Sequence, residues 1–379
     1  MALFIVAPSA CDRDVLVGAV SADLNPGQSP VQVQGGTAGA GGGPVNCVPG
    51  MGGGGSGGTG GSAVVTPSCP TIATASGTLN ACGRTFEIAY SPDGQLLATA
   101  TQGPPANVHM WRLSDGALVR EFAGHGSGGA LSVAFSPDGT ILATAGYEED
   151  PCGVPYSTVE DPTVVKLWEV STGNFLRTLP ATVGFYASSA GFSHDGTRVV
   201  TTGYLGPIQV WRVSDGVPLT SIPTTGSFYK ARFSPNDVRI VAASYVTGGI
   251  WNASDGSLVK PIAGLGEDMN DAAFSPDGSQ IATTGASGNL QVFDAGGNLL
   301  QSFHAHDVNY TSRVVWVGND RLISDDWGGN VKSWTRDASG KFAASGVWSF
   351  GSQALGMAVS PDGSRLAVAG DGGFMFLSL

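Results

Sequence analysis

The chain has 379 residues and a formal charge of −12, and only 13% of its residues are charged. This acidic balance disfavours nucleic acid as a partner, because a negative surface repels phosphate groups and no basic cluster offsets it. The sequence also contains no apolar run of about 18 or more residues, so no membrane-spanning helix is expected.

The first eleven residues, MALFIVAPSAC, combine a short apolar run with small residues and Cys11. They resemble the end of a bacterial lipoprotein signal, in which a cysteine becomes the lipidated first residue. The positive residues of a complete signal are missing, and Pro8 stands where such signals prefer Leu. The resemblance implies export to the cell envelope and a lipid on Cys11, the one membrane contact expected. A cytoplasmic location is the alternative.

Residues 12–70 are dominated by glycine, which supplies 15 of the 28 residues from 35 to 62. A segment of this composition cannot bury an apolar core. We therefore expect a disordered, Gly-rich tether between the N-terminal signal and a folded domain at 71–379.

The folded domain contains a repeated six-residue pattern, of which AFSPDG at 134–139 is one copy. Its serine recurs at 91, 136, 193, 234, 275 and 360, and VVWVGND at 314–320 fills the one double-length gap. Seven units of about 42 residues result, each with four short runs of β-branched and aromatic residues. This period predicts an all-β, seven-bladed propeller of four-stranded blades, with SPDG as the tight turn between first and second strands.

The third run of each unit ends in an aromatic residue, and several are followed by a turn such as SDG. These aromatics are Trp111, Trp168, Trp211, Trp251, Phe293, Trp334 and Phe376. On these residues the chain resembles the WD-repeat family over 71–379. The family's Gly-His pair is clear at Gly124–His125, with His306 as a partial match, but the Asp of its hydrogen-bond network is missing from the turns after the second strand in six units.

Ring closure is expected from the segment TIATASGTL at 71–79, which precedes the first unit. The last unit supplies three strands, so a strand at 71–79 would complete it. Such a strand would be about 30 Å long, which would keep Cys69 and Cys82 apart. Cys82 and Cys152 fall on the same face, and we expect them to form a disulfide, leaving Cys47 to pair with Cys69. Free thiols in a cytoplasmic protein are the alternative.

Superposing the repeats places large side chains at one end of the propeller, where the first strand of each unit begins and the second ends. We call this end the top face. Tyrosines suit binding surfaces because they combine apolar area with a polar tip. The alternative is that the rings pack together and plug the channel. The candidate partner-binding residues are Phe86, Gln102, Tyr147, Tyr156, Tyr186, Tyr204, Tyr229, Tyr245, Tyr310 and Trp327.

No catalytic or metal-binding constellation stands out. His304, His306 and Asp307 lie close in sequence, but the family resemblance assigns His306 a structural role. The sequence therefore favours a monomeric, non-enzymatic scaffold that binds a protein or peptide on the top face and needs no cofactor. The alternatives are an envelope glycan-binding propeller and a hydrolase or lyase that uses the channel mouth.

Overall fold

The computed structural model describes residues 71–74, 77–80, 84–102, 107–125, 129–146, 164–180, 187–224, 226–244, 248–262, 269–307, 311–371 and 373–379. These residues form 29 strands and no helix. Apart from a short N-terminal hairpin, the strands form seven antiparallel sheets, each built from strands that follow one another in the chain. The predicted seven-bladed, all-β propeller is confirmed.

The first four blades each contain four strands. Blade one is β3 (Thr85–Tyr90), β4 (Leu96–Thr101), β5 (Val108–Arg112) and β6 (Leu118–Phe122). Blade two is β7 (Ala130–Phe135), β8 (Ile141–Gly146), β9 (Val164–Glu169) and β10 (Phe175–Pro180). Blade three is β11 (Ala187–Phe192), β12 (Arg198–Gly203), β13 (Ile208–Arg212) and β14 (Pro218–Ile222). Blade four is β15 (Phe228–Phe233), β16 (Arg239–Ser244), β17 (Gly248–Asn252) and β18 (Leu258–Ile262).

The remaining blades close the ring. Blade five is β19 (Met269–Phe274), β20 (Gln280–Gly285), β21 (Asn289–Asp294) and β22 (Leu299–His304). Blade six is β23 (Thr311–Val317), β24 (Arg321–Asp326), β25 (Asn330–Arg336) and β26 (Phe342–Ser349). Blade seven is the three-stranded sheet β27 (Ala354–Val359), β28 (Arg365–Gly370) and β29 (Gly373–Ser378). The first strands of successive blades are neighbours in cyclic order, and β27 is the neighbour of β3.

The segment expected as one strand over 71–79 is instead two short strands, β1 (Thr71–Thr74) and β2 (Gly77–Asn80). They pair with each other, with Thr71 opposite Asn80. The segment does lie at blade seven, since β1 approaches β29 to within 8 Å between Cα atoms. Because no single strand spans 71–79, Cys69 and Cys82 are not separated by the length of such a strand.

The core lies between the blades. Each pair of neighbouring blades shares one apolar cluster, including the pair formed by blades seven and one. Between blades three and four, for example, Ile208 and Val210 pack with Phe233 and Ile240, all nearly or fully buried. Since each such side chain contributes about 1.5–3 kcal/mol on burial, inter-blade packing is the main stabilising contribution.

The SPDG turns are structural, as predicted. In the first, the Ser91 hydroxyl donates to Asp93 Oδ1 at 2.6 Å, and the Leu96 N–H donates back to Ser91 Oγ at 2.8 Å. Gly94 adopts a φ of +67°, a conformation that favours glycine. In the third unit the corresponding hydrogen bonds, first from the Ser193 hydroxyl, lower the pKa of Asp195 to about 2. These carboxylates stay ionised because they cap turns.

Blade six contains a complete buried polar network. The His306 Nδ1 lies 2.8 Å from Asp326 Oδ2 and its Nε2 lies 2.8 Å from Ser324 Oγ. The Trp334 indole N–H donates to the same Ser324 oxygen at 2.9 Å. The expected turn position of the family's Asp is indeed a glycine, but Asp326 at the end of β24 supplies the carboxylate instead. His306 is therefore a structural residue, as predicted.

Blade two contains a shorter version of the same arrangement. His125 Nε2 lies 2.7 Å from Thr144 Oγ1, to which the Trp168 indole N–H also donates. Position 146 is Gly, so the sequence provides no carboxylate where blade six has Asp326.

Replacing His306 by Ala should destabilise the protein more than replacing His125 by Ala. The first change removes the imidazole that hydrogen-bonds to the buried Asp326 carboxylate, at a cost of about 2–3 kcal/mol, whereas the hydrogen bond from His125 to Thr144 joins two neutral groups and is worth about 1 kcal/mol. Urea unfolding followed by tryptophan fluorescence measures both free energies of unfolding. Equal losses would show that the Asp326 link adds nothing to blade six.

Candidate functional site

The candidate residues that the structure describes lie at two positions of the blade. Gln102, Tyr204 and Trp327 directly follow the second strands β4, β12 and β24. Phe86 and Tyr229 are the second residues of the first strands β3 and β15. The following residues lie outside the described part of the chain: Tyr147, Tyr156, Tyr186, Tyr245, Tyr310, Cys11, Cys47, Cys69, Cys82 and Cys152.

Phe86 and Tyr229 occupy equivalent β-bulges. The pairing of β3 with β4 shifts between Thr85 and Glu87, and the pairing of β15 with β16 shifts between Phe228 and Lys230. A bulge leaves one residue unpaired and changes the direction of its side chain. Both rings are half-buried at the top of blades one and four.

Arg84 joins several top-face residues at the junction of blades one and seven. Its guanidinium lies 5.4 Å from the centroid of the Phe86 ring, and its Nε lies 3.1 Å from Asp371 Oδ1. Its Nη2 donates to Gln353 Oε1 at 2.7 Å, and its carbonyl accepts the Gln102 N–H at 2.9 Å. The structure thus brings Phe86 and Gln102 together around one arginine.

Tyr204 and Leu205 form an exposed pair in the turn between β12 and β13. Their exposed fractions are 38% and 53%. Leu205 adopts a φ of +59°, a conformation that costs an L-residue about 1–2 kcal/mol. The turn is held in place because the Thr224 hydroxyl donates to the Gly206 carbonyl at 2.8 Å. The alignment of repeats identified Tyr204 as a candidate but not Leu205. A bulky residue directly before Gly206 in a short turn is nevertheless a feature that can be seen in the sequence.

Trp327 is half-buried and begins a turn held by the blade-six network. The Gly329 N–H donates to the Asp326 carbonyl at 3.0 Å, and the Asn330 N–H donates to Asp326 Oδ1 at 2.9 Å. Tyr204 on blade three and Trp327 on blade six belong to opposite sides of the ring. The described aromatic residues are therefore distributed around the top face instead of forming one pocket.

Behind the top face, charged side chains of the first strands meet in the central channel. Lys230 on blade four pairs with Glu87 on blade one, and Arg232 pairs with the buried Asp271 on blade five. Burial lowers the pKa of Lys230 well below its usual value, and the charges of Arg313 and Arg232 add to this effect. Burial acts to raise the pKa of Asp271, but the charge and hydrogen bond of Arg232, together with the charges of Arg313 and Lys230, hold that pKa below its usual range.

This channel cluster was missed in the sequence, although it leaves a signal there. Glu87, Lys230, Asp271 and Arg313 each lie four residues before the serine position of their repeat. Charged residues at the same place in four of the inner strands indicate a polar layer across the channel. Below this layer a cavity of about 610 Å³, lined by apolar residues such as Phe233 and Phe274, extends toward the turns opposite the top face.

The described residues contain no group of three or more His, Cys, Asp or Glu side chains that could hold a metal ion. In the same part of the chain, no helix has the length and hydropathy that a membrane span requires. The described part of the top face offers aromatic rings and Leu205 for apolar contact, the amide of Gln102 for hydrogen bonding, and the Arg84–Asp371 ion pair.

Comparison with known proteins agrees with this architecture. The family described as WD domain, G-beta repeat matches residues 116–150 and 260–294. An uncharacterized WD repeat-containing protein from Synechocystis sp. is 32% identical over 213 residues, which cover 55% of this chain and 56% of the relative. The chain therefore spans about half the length of this relative. The repeats, the two matched segments and the closed ring together support a WD-repeat β-propeller.

The carboxyl group of Asp325, at the edge of the channel cluster, should make stability depend on pH. Burial raises its pKa to about 7, against the opposing charge of Arg313. An unfolded Asp ionises near pH 4, so between about pH 4 and 7 the folded state holds the extra proton and the free energy of unfolding falls as pH rises. Asp325→Asn should remove this slope, which is at most about 1.4 kcal/mol per pH unit for one group.

Urea unfolding at several pH values between 4.5 and 7.5 measures the slope. Asp320→Asn, which changes an 80% exposed carboxylate on the same blade, is the matched control and should keep it. The same slope in the Asp325→Asn variant would show that Asp325 is ionised throughout this range.

Proposed function

We propose that this propeller is a non-enzymatic scaffold whose top face binds a protein or peptide partner. WD-repeat propellers commonly act as protein-interaction scaffolds and are typically non-enzymatic, which supports the general assignment. The Tyr204–Leu205 turn is the observation that supports the top face as the binding surface. Leu205 is 53% exposed, so its apolar side chain is not buried, and its positive φ is unfavourable for an L-residue. Strain of this kind concentrates at functional positions.

The other positive-φ residue of this kind in the described chain provides a contrast. Asp237 has a φ of +58° in the turn of blade four that replaces SPDG by SPND. Its carboxylate accepts the N–H groups of His194 at 2.7 Å and Asp195 at 2.9 Å, so its strain is offset by contacts with the neighbouring turn. Leu205 has an apolar side chain that can gain a comparable contact from a partner.

Phe86, Gln102, Tyr229 and Trp327 would extend the contact surface around the face. A partner that spans the ring would bury aromatic rings at its centre, where such residues contribute most to affinity. Arg84 would position Phe86 and Gln102, because it is already held by Asp371 and Gln353. The acidic chain would favour a partner with a basic or neutral surface.

The proposed location is the cell envelope, with the chain held by a lipid on Cys11. This part of the proposal is supported by the N-terminal sequence alone, where small residues and Cys11 follow an apolar run.

Leu205→Asn should weaken partner binding and leave the fold intact. Asn tolerates positive φ better than Leu, so the free energy of unfolding should be unchanged or rise by up to about 1 kcal/mol. Capture of the partner from separated envelope and soluble extracts, quantified by mass spectrometry with the full chain as bait, should fall at least about tenfold, and further when Tyr204→Ser is added.

The matched control is Val238→Asn, which changes a 56% exposed residue in a turn at the opposite end of the propeller. It should leave capture unchanged. Equal capture by the parent and the Tyr204/Leu205 variant would move the site away from this turn. Loss of capture in both Asn variants would indicate non-specific apolar adhesion, and competition by soluble oligosaccharides would favour the glycan-binding alternative.

A further inference from the structure

The central cavity of about 610 Å³ reaches the molecular surface at the end of the propeller opposite the top face. There it is lined by the turn residues His194 and Pro276, and the His194 side chain is 55% exposed. Its inner end lies at Glu87 and Lys230 of the polar layer. Pockets of roughly 300–1,000 Å³ commonly bind small molecules, so this cavity has a suitable size.

The cavity wall carries apolar side chains that are only half-buried. These side chains are Phe192, Phe274, Val315 and Val359, one from the first strand of each of four blades. A molecule that covers them removes apolar surface from water, which favours binding. The wall therefore suits a ligand with an apolar body.

Two buried polar atoms at the inner end have no hydrogen-bond partner within the described part of the chain. They are Ser189 Oγ, on a residue that is 1% exposed, and Glu87 Oε2. Ser132 has the same repeat position in blade two, but its hydroxyl oxygen accepts the Ala190 N–H at 3.3 Å. Buried polar groups are normally hydrogen-bonded, so these two atoms point to a polar group on a bound molecule.

Each ionisable side chain that lines the cavity pairs with an acid or base of the opposite kind. The pairs are Lys230–Glu87, Arg232–Asp271 and His194–Asp237. A charged ligand would therefore find no free counter-charge, and an unpaired buried charge is costly. A hydroxyl group adds no charge, and it can donate to Glu87 Oε2 and accept from the Ser189 hydroxyl.

We propose that this cavity binds a neutral amphipathic molecule, with its apolar body against Phe192 and Phe274 and its hydroxyl group at Ser189 and Glu87. The molecule would enter past His194, where the cavity reaches the surface. This site lies away from the top face, so it does not rest on the proposed binding of a protein partner.

Isothermal titration calorimetry of the full chain with octanol, octylamine and octanoate at neutral pH tests the ligand class. The three probes share an alkyl chain and differ in their head group. Octanol should bind at least about tenfold more tightly than either charged probe, because it introduces no unpaired charge. Ser189→Ala should weaken octanol binding about fivefold, which corresponds to one neutral hydrogen bond. The melting temperature should not fall, because this hydroxyl has no protein partner to lose.

Thr284→Val is the matched control and should leave octanol binding unchanged. Thr284 Oγ1 is also buried without a partner in the described chain, but Thr284 does not line the cavity. Ala134→Leu enlarges a side chain of the cavity wall and should weaken octanol binding at least about tenfold, because it fills space that the ligand needs.

Four results would overturn the proposal. Equal octanol binding by the parent and the Ser189→Ala variant would show that the hydroxyl makes no contact with the ligand. Tighter binding of octylamine or octanoate would exclude a neutral head group. Unchanged octanol binding by the Ala134→Leu variant would place octanol outside the cavity, and no octanol binding up to its solubility would show that the cavity does not accept such a molecule.

Discussion

Apolar packing between neighbouring blades is the constraint on which this propeller depends. Every blade has a buried cluster on each side, so no sheet has to stabilise itself alone. The hydrogen bond from Trp211 to Thr201 at 2.9 Å shows the scale of the polar contribution in a blade without the full network. One such bond is worth about 1 kcal/mol, whereas each cluster buries many side chains worth about 1.5–3 kcal/mol each. The polar networks therefore add a smaller stabilisation to blades that apolar packing already stabilises.

Because packing between the blades supplies most of the stability, the turns at the two ends of the ring can contain different residues. At one end, turns such as Ser91–Gly94 satisfy their own hydrogen bonds and vary little from blade to blade. At the top face, the corresponding positions range from Gln102 to Tyr204 and Trp327. Variation on a rigid scaffold is typical of surfaces that carry function, because the blades keep their packing whatever the loops contain.

The sequence was sufficient for the blade count and the strand order, because a repeat period of about 42 residues and alternating apolar residues depend on local chemistry. It failed where contacts join distant repeats. Glu87 and Lys230 are 143 residues apart, and their pairing requires the closed ring. The carboxylate at Asp326 was missed for a related reason, since it stands two residues before the position that the family pattern uses.

The top-face prediction shows the same limit. A column of aromatics indicated where the face lies, and the structure places Phe86, Gln102, Tyr204, Tyr229 and Trp327 at these strand ends. The strain at Leu205 could not be predicted from the column, because it depends on the φ of one turn residue. Whether these residues bind a partner stays a prediction.

The junction between blades seven and one differs from the others in one respect: the chain does not cross it from a last strand to the next first strand. The apolar cluster at this junction includes Ile88 and Trp111 of blade one and Phe374 of blade seven, and the β27 backbone at Gly356 packs against the β3 backbone at Phe86 and Glu87. The ion pair of Arg84 with Asp371 lies at the same junction. The other neighbouring blades are joined by the chain itself, so separation of the ring under heat or mechanical force would begin at this junction. The strength of the contacts at this junction therefore determines the lifetime of the closed ring.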